Sequence, residues 1–346
     1  MEITELFQDT IYGGGTDLHL NPGYPPMIRV EGTIKKMEGA LLDADMIYDL
    51  IAPILSEEQK ALLDKGHEVD FAYELPNFAR FRINVFKLLR GIAVACRIIP
   101  LTLPDFSELN LPYQLSDLAS LDKGLILVTG PTGHGKSTTI AAVLSIITNS
   151  RDDHIITIED PIEFVFPTHK CLVSQRELGT HTLSFASALK SALREDPDII
   201  MVGEMRDVET AALTLTAAET GHLVFSTLHT NSAMSTAQRI VDMFPPHQQQ
   251  QIRVQLADNI RAVICQTLIP RKDNMGRAPV CEIMFGSPAI RNLIREGKTH
   301  QLETAIQTAI KEGMQTFDQS LKQLLSSGLI TREDAMARAS NKNIFS

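Results

Sequence analysis

The chain has 346 residues and a formal net charge of −10, from 32 basic and 42 acidic residues. Its 44% hydrophobic and 21% charged residues fit a globular protein of about two domains, and the acidic balance argues against a nucleic-acid-coating function. No apolar run reaches the roughly 18 residues of a spanning helix, the first residues lack a secretory signal, and Cys96, Cys171, Cys265 and Cys281 form no C-x-x-C pair, so buried reduced thiols are expected rather than a zinc site or a disulfide framework.

In chain order, the first segment mixes short strands at 27–30, 81–85 and 92–98 with helices near 45–55 and 57–65. Its turns are marked by Gly13-Gly14-Gly15, Asn21-Pro22-Gly23, Pro25-Pro26 and Glu31-Gly32. This predicts an α+β domain over 1–100. Pro100, Pro104 and Pro112 then give residues 101–115 the composition of an extended linker. Within the first domain, Arg80, Arg82, Arg90 and Arg97 fall on two predicted strands joined by a loop. Residues of one parity share a strand face, so Arg80 and Arg82 point the same way. Such guanidinium groups are candidates to reach a phosphate.

From about Ser116 the pattern changes to buried strands alternating with helices, the signature of a mostly parallel sheet. Predicted core strands are 125–129, 155–158, 199–202 and 223–226, within a domain spanning 116–346. Each ends in polar residues: a glycine loop, Glu159-Asp160, Glu204, and Thr227-Leu228-His229. Ligands of open α/β sheets bind beyond the carboxyl ends of the strands, so these four ends predict one convergent site. Toward the end of the chain, 315–325 places Phe317, Leu321, Leu324 and Leu325 on one helical face. Ser327-Gly328 breaks that helix, and Thr331 with Asp334 begins another.

The glycine loop reads Gly130-Pro131-Thr132-Gly133-His134-Gly135-Lys136-Ser137, followed by Thr138, and matches G-x-x-x-x-G-K-[ST]. A predicted strand precedes it, and Ile140, Val143, Leu144 and Ile147 recur at helical spacing after it. Gly133 and Gly135 let the backbone wrap an anion. The freed N–H groups and the helix N-terminus face the phosphates. Lys136 supplies charge at the β- and γ-phosphates, and the Ser137 hydroxyl is placed to ligate Mg²⁺. The expected ligands are therefore ATP and Mg²⁺.

Carboxylates complete the site. Glu204 ends the strand that begins at Asp198, with Gly203 before it in place of a second acid. It is the candidate to orient or deprotonate the attacking water, with a place in the metal shell also open. A further carboxylate is needed for Mg²⁺. Glu163 is preferred, with Glu159 and Asp160 as alternates; Pro161 fixes their turn. His222 and His229 bracket the strand 223–226, seven residues apart, which is wrong for a helical zinc pair. His229, at the strand's carboxyl end, is the candidate γ-phosphate sensor. His222 lies at the other end.

This set resembles the secretion and pilus motor ATPases of the RecA-like superfamily, over nearly the whole chain. The resemblance is carried by residues 14–20, Arg80-Phe81-Arg82-Ile83-Asn84, the phosphate loop, Ile158-Glu159-Asp160-Pro161-Ile162-Glu163-Phe164, the strand from Asp196 to Arg206, and the segment from Gly221-His222 to Asn231. Ala289-Ile290-Arg291-Asn292-Leu293-Ile294-Arg295-Glu296 is similar to the signature of the retraction branch. Assembly-type relatives are longer and carry a tetracysteine motif that this chain lacks. Thr16 and His134 stand where the family usually has Ser; the side chain at 134 is expected to matter little.

The resemblance implies a PAS-like N-terminal domain joined to a RecA-like P-loop domain in a homo-hexamer. ATP would lie between the two, closed on by arginines of the first domain, of which Arg82 and Arg97 are the candidates. Glu163 and Glu204 become catalytic carboxylates, and His222 and His229 the histidine pair. The implied activity is Mg²⁺-dependent ATP hydrolysis that powers type IV pilus retraction and twitching motility. It would act in the cytoplasm, peripheral to the inner membrane, against a membrane platform protein, with a second retraction ATPase as a possible partner and no nucleic acid. Alternatives are an accessory retraction ATPase and a nucleotide-binding regulatory or scaffold subunit.

Overall fold

The architecture comes from a computed structural model that describes residues 2–30, 32–76, 78–99, 103, 105–167, 169–273 and 275–345. The chain divides into two compact units, Met1–Thr102 with Glu163–Val165, and Leu103–Ile162 with Phe166–Ser346.

The first unit contains helix α1 (Ile3–Tyr12), strands β1 (Asp17–Leu20), β2 (Met27–Val30) and β3 (Thr33–Lys36), helices α2 (Ala44–Ile51) and α3 (Glu57–Asp64), and strands β4 (Val69–Leu75), β5 (Ala79–Leu88) and β6 (Gly91–Ile99). The strands form one antiparallel sheet in the order β3-β2-β1-β6-β5-β4. Alternation along it is clean. Leu18, Leu20, Phe81, Ile83, Val85, Val94 and Cys96 face inward onto Ile3, Leu6 and Phe7 of α1 and Ile47 and Ile51 of α2. Phe7 stacks on Phe81 with ring centroids 4.0 Å apart. Full burial of each such side chain stabilises by roughly 1.5–3 kcal/mol. The predicted helix at 45–55 ends early, because Pro53 lacks the N–H that an α-helix needs and residues 52–54 tighten into a 3₁₀ turn.

The second unit contains β7 (Gly124–Thr129), α4 (Lys136–Ser150), β8 (His154–Glu159), β9 (Leu172–Glu177), α5 (Phe185–Ala192), β10 (Ile199–Val202), α6 (Val208–Glu219), β11 (Leu223–Leu228), α7 (Ala233–Asp242), α8 (Gln249–Asn259), β12 (Ile260–Pro270), β13 (Arg277–Phe285), α9 (Pro288–Arg295), α10 (Leu302–Thr308), α11 (Phe317–Ser326) and α12 (Arg332–Arg338). Its sheet runs β13-β12-β7-β11-β10-β8-β9. All neighbours are parallel except β12 and β13. Helices cover both faces, so the central strands read as unbroken apolar runs. Leu125 and Leu127 face one core with Ile200, Val202 and Val224. Ile126 and Val128 face the other, with Ile140, Val143, Leu144 and Ile147 of α4.

The stretch read as an extended linker is only partly so. Pro100, Leu101, Thr102 and Pro104 lie outside the described residues. Beyond them, 3₁₀ turns at Phe106–Glu108 and Tyr113–Ser120 pack on α4, with Leu115 fully buried. Leu115 and Leu118 reward packing, which overrides the Pro-rich composition.

At the far end, Ile269, Ala278 and Val280 pack against Leu321, Leu324 and Ile330. β13 closes the row of strands. Gln315 exchanges both backbone hydrogen bonds with Ile283, at 2.8 and 3.1 Å, and Ser320 Oγ accepts the Cys281 N–H at 3.0 Å. The helices 317–326 and 332–338 start at Thr316 and Thr331, whose side chains cap them; only the Thr331 cap is predicted from the sequence.

Candidate functional site

Four strand ends meet in the second unit, as the sequence reading expects. β7 is flanked by β12 and β11, and β11 by β10. Beyond β7 the chain turns through the glycine loop into α4. Gly130 has φ +136°, and a Cβ there would sit 2.1 Å from the Gln266 carbonyl oxygen, so only glycine passes. Gly135 takes φ +78° as the residue that launches α4. The N–H groups of His134 and Gly135 make no hydrogen bond to protein among the described residues. Such oriented donors at a helix N-terminus favour an anion.

Lys136 is buried, and its Nζ donates to Gly130 O at 3.0 Å and Pro131 O at 3.1 Å. It also lies 3.4 Å from His229 Nδ1. His229 Nε2 is 3.0 Å from Glu204 Oε1. The other Glu204 oxygen accepts from Arg206 Nε at 2.9 Å, and Arg206 reaches Asp160 at 3.3 Å. The Glu204 hydrogen bond comes first among the causes that hold the Arg206 guanidinium above its ordinary pKa. A continuous polar chain thus runs Lys136, His229, Glu204, Arg206, Asp160.

Backbone locks set this chain. Thr227 Oγ1 donates to Gly203 O at 2.5 Å, and the Met205 N–H donates to Thr227 O at 3.2 Å. These bonds join the ends of β10 and β11 and bring Glu204 beside His229. A Cβ at position 203 would lie 3.1 Å from Ile158 O, so the second acid of a paired motif would need the backbone there to give by a few tenths of an ångström.

Of the acids in the 159–163 turn, Glu159 is 6% exposed and accepts from Thr157 Oγ1 at 2.6 Å and Gln175 Nε2 at 3.2 Å. Asp160 joins the Arg206 pair. Glu163 groups with the first unit. Ser137 is half-buried in the first turn of α4, and its hydroxyl has no protein partner among the described residues. His222 precedes β11 and turns away, with Nδ1 2.9 Å from Ala217 O. A six-residue strand separates it from His229, roughly 20 Å at 3.3 Å per residue.

In the first unit, register places Arg82 directly opposite Arg97, and Arg97 opposite Asp17. The two arginines therefore share the polar face of the sheet. Arg82 pairs with Asp70 at 2.8 Å and Arg97 with Asp17 at 2.9 Å. Burial pushes the Asp17 carboxyl up, but hydrogen bonds from Arg97 and Thr16 outweigh it and hold it below the usual range.

The side chain at 134, expected to matter little because backbone N–H groups bind the phosphate, has a structural contact of its own. His134 Nδ1 accepts the Leu268 N–H at 2.9 Å, which ties the loop to β12. Burial, then the charges of Arg277 and Lys136, hold its pKa below that of a free histidine. Arg206, Gln266, Leu268 and Arg277 all support the site and escaped the sequence reading. Arg206 follows Glu204 by two residues and was within reach; the others touch the loop from more than 130 positions away, with no local signal.

In helix 288–295 Ile290 and Ile294 are buried in the core, while Arg295 pairs with Asp258 at 2.6 Å. The apolar half of the retraction-branch signature therefore packs; Asn292 and Glu296 are exposed, whereas Arg291 is half-buried with its Nε out of solvent.

Residues 69–337 match the family described as Type II/IV secretion system protein. The chain is 50% identical over 98% of its length, and 98% of the relative's, to the type IV pilus retraction ATPase PilT of Pseudomonas aeruginosa. It is 38% identical to the type IV pilus ATPase PilU of the same organism, over 99% of this chain and 90% of that one. A crystal structure of the pilus retraction motor PilT with bound ADP superposes with a TM-score of 0.93 at 45% identity, covering 99% of this chain and 98% of that one. The chain belongs to the type II/IV secretion system protein family, as a nucleotide-binding ATPase of its pilus retraction branch.

Proposed function

We propose that this ATPase is a Mg²⁺-dependent motor that works as a homo-hexamer and withdraws type IV pili, so driving twitching motility. The single observation that carries the reading is the Lys136–His229–Glu204 chain at the ends of β7, β11 and β10. It joins a phosphate-binding cation to a carboxylate through an imidazole. Phosphoryl transfer needs little covalent help, and positioning with charge neutralisation does most of the work.

In this reading the loop Gly130 to Ser137, with Thr138, holds the triphosphate, and Lys136 meets its β- and γ-oxygens. Glu204 orients the attacking water and accepts its proton. His229 fixes one carboxylate oxygen and registers the γ-phosphate. Ser137 and Glu163 are assigned to the shell of Mg²⁺, which neutralises phosphate charge when bound; the unpartnered Ser137 hydroxyl is an oxygen of the hard type that ion takes. Arg82 and Arg97 are assigned to close on the phosphates.

We divide the chain into a PAS-like domain over 1–100 and a RecA-like domain over 116–346, joined by 101–115, of which the part from Phe106 onward packs on the second domain. The motor would act in the cytoplasm, against a platform protein in the inner membrane and beside a second retraction ATPase. Similarity to both PilT and PilU supports that setting, and no helix among the described residues is long and apolar enough to cross a membrane.

The test combines phosphate release with particle mass. ATP turnover that depends on Mg²⁺ and vanishes in Glu204→Gln, together with six-copy particles in Mg·ATP, is expected. Turnover no higher than that of Glu204→Gln would favour a scaffold, and a persistent monomer would end the ring reading.

A further inference from the structure

The glycine loop rests on β12. That strand continues past the end of β7, where Cys265 still pairs with Thr129, and its next residues run beneath the loop. Gln266 is 3% exposed, and both ends of its amide are used. Oε1 accepts from Thr139 Oγ1 at 2.7 Å, in the first turn of α4. Nε2 donates to the His134 carbonyl at 2.8 Å. One loop position earlier, the Gly133 carbonyl accepts from Arg277 Nη1 at 3.2 Å.

A trans peptide holds its C=O and the following N–H antiparallel in one plane. Tying the His134 carbonyl to Gln266 therefore aims the Gly135 N–H away from β12. Tying the Gly133 carbonyl to Arg277 does the same for the His134 N–H. Neither donor is taken up by a protein atom among the described residues, as is also true of the Thr132, Gly133 and Ser137 N–H groups of the same loop. Glycine at position 135 lets the side chain approach closely. A Cβ there would lie 2.9 Å from Gln266 Nε2.

We infer that Gln266, assisted by Arg277, is the positioning residue that turns the loop's peptide planes so that the His134 and Gly135 N–H groups meet the nucleotide phosphates. It touches no substrate, and it acts through the His134 carbonyl. The inference rests on the nucleotide-loop assignment above and adds the residue that sets that loop's geometry.

The chemistry of the amide dictates the variants. Gln266→Glu keeps an acceptor for Thr139 but presents an oxygen, not a donor, to the His134 carbonyl. Gln266→Leu removes the donor without adding charge. Thr139→Val removes only the other half of the clamp. In the full-length protein, displacement of a fluorescent ADP by MgADP gives affinity, phosphate release gives kcat and KM, and melting without nucleotide reports the fold. One misdirected donor to a charged phosphate corresponds to roughly a ten- to hundredfold loss of ADP affinity. We expect that loss for Gln266→Glu and Gln266→Leu, seen as a raised KM with kcat within about threefold, because Glu204 and His229 are untouched. Thr139→Val should stay within about threefold of the unaltered chain in both.

A role in packing alone would lower the melting temperature in all three variants without separating KM from kcat. Wild-type ADP affinity in both folded Gln266 variants would overturn the inference. Should neither fold, Arg277→Met decides: a severalfold weaker affinity supports the inference, and an unchanged one refutes it. Lys136→Ala binding ADP as tightly as the unaltered chain would instead strike at the nucleotide-loop assignment itself.

Discussion

His229 lies between a cation and an anion, with Nδ1 3.4 Å from Lys136 Nζ and Nε2 3.0 Å from Glu204 Oε1. An ammonium offers only donors, so Nδ1 accepts, and the remaining ring N–H points at the carboxylate. The two partners thus orient the ring, with Nδ1 toward the cation and Nε2 toward the carboxylate. Glu204 then has one oxygen on His229 and the other on Arg206, which leaves its orientation little freedom.

Removing the ring should misplace the carboxylate without emptying the loop. We expect His229→Ala to lower kcat about a hundredfold, the usual scale of a disturbed general base. ADP affinity should stay within about threefold, since the loop donors remain. Steady-state phosphate release beside ADP displacement checks both, and a wild-type kcat would dissociate His229 from the chemistry.

Gly130→Ala addresses the loop from below. The new methyl would meet the Gln266 carbonyl at 2.1 Å in a backbone conformation of φ +136°. Such strain costs about 1–3 kcal/mol, and the turn must shift to relieve it. Urea unfolding should show that loss, and the stabilisation of the protein by added ADP should disappear. A variant still protected by ADP would mean that the loop tolerates the shift.

Arg82 and Arg97 can be separated from a purely structural part. Their side chains are 45% and 72% exposed, so the exposed Arg82–Asp70 pair is worth at most about 1 kcal/mol, whereas Asp17 is buried and loses its main compensating partner with Arg97. An arginine that reaches a transferring phosphoryl group supplies about 10³-fold or more. We expect Arg82→Ala to unfold near the wild-type midpoint and Arg97→Ala below it, while turnover collapses in both, far beyond what the lost stability explains. A drop below about twofold in both would withdraw the assignment.

Acid should loosen the second unit through His134. Its folded pKa is depressed by burial, then by Arg277 and Lys136, so the unfolded chain binds more protons below the ordinary histidine value. A depressed pKa contributes stability that is present above about pH 6.5 and lost as pH falls through the folded value. His19 is shifted the same way, burial being its main cause. Unfolding free energy should therefore fall between pH 7 and pH 5, and His134→Ser should flatten part of that slope. Identical slopes would show that the Leu268 hydrogen bond does not discriminate between the two protonation states.

The retraction-branch helix can be divided by stability alone. Ile290 is 1% exposed, and its truncation to Ala should cost about 2–5 kcal/mol. Arg295→Ala, with its exposed pair to Asp258, should cost about 1 kcal/mol or less. Urea midpoints of the two variants test the division, and loss of retraction in Arg295→Ala at normal stability would mark the outward face as functional.

Local chemistry made much of this legible in advance. The glycine loop, its strand and its helix announce themselves because each needs particular residues in a short window. The central strands are readable because a sheet covered on both faces demands apolar runs. Glu204 and His229 were found as strand ends, although nothing in their spacing told that they touch. That contact depends on Thr227 locking two neighbouring strands. β12 and β13 went unread for a different reason. Their part is to lie under a loop far away in sequence, and Gln266 carries no mark of it. Polar side chains that serve distant backbone look like any other amide in a linear reading. The packed turns at 106–120 were hidden by proline content, which reports backbone preference and not what Leu115 buries against.

The contact of Gln315 and Ser320 with β13 has a consequence beyond packing. An outermost strand offers a row of unsatisfied N–H and C=O groups to any other extended chain. By occupying Ile283 and Cys281, Gln315 and Ser320 blunt that invitation. A chain cut before residue 315 would bare the rim of the sheet that underlies the phosphate loop, and its characteristic failure would be self-association through stray strand pairing.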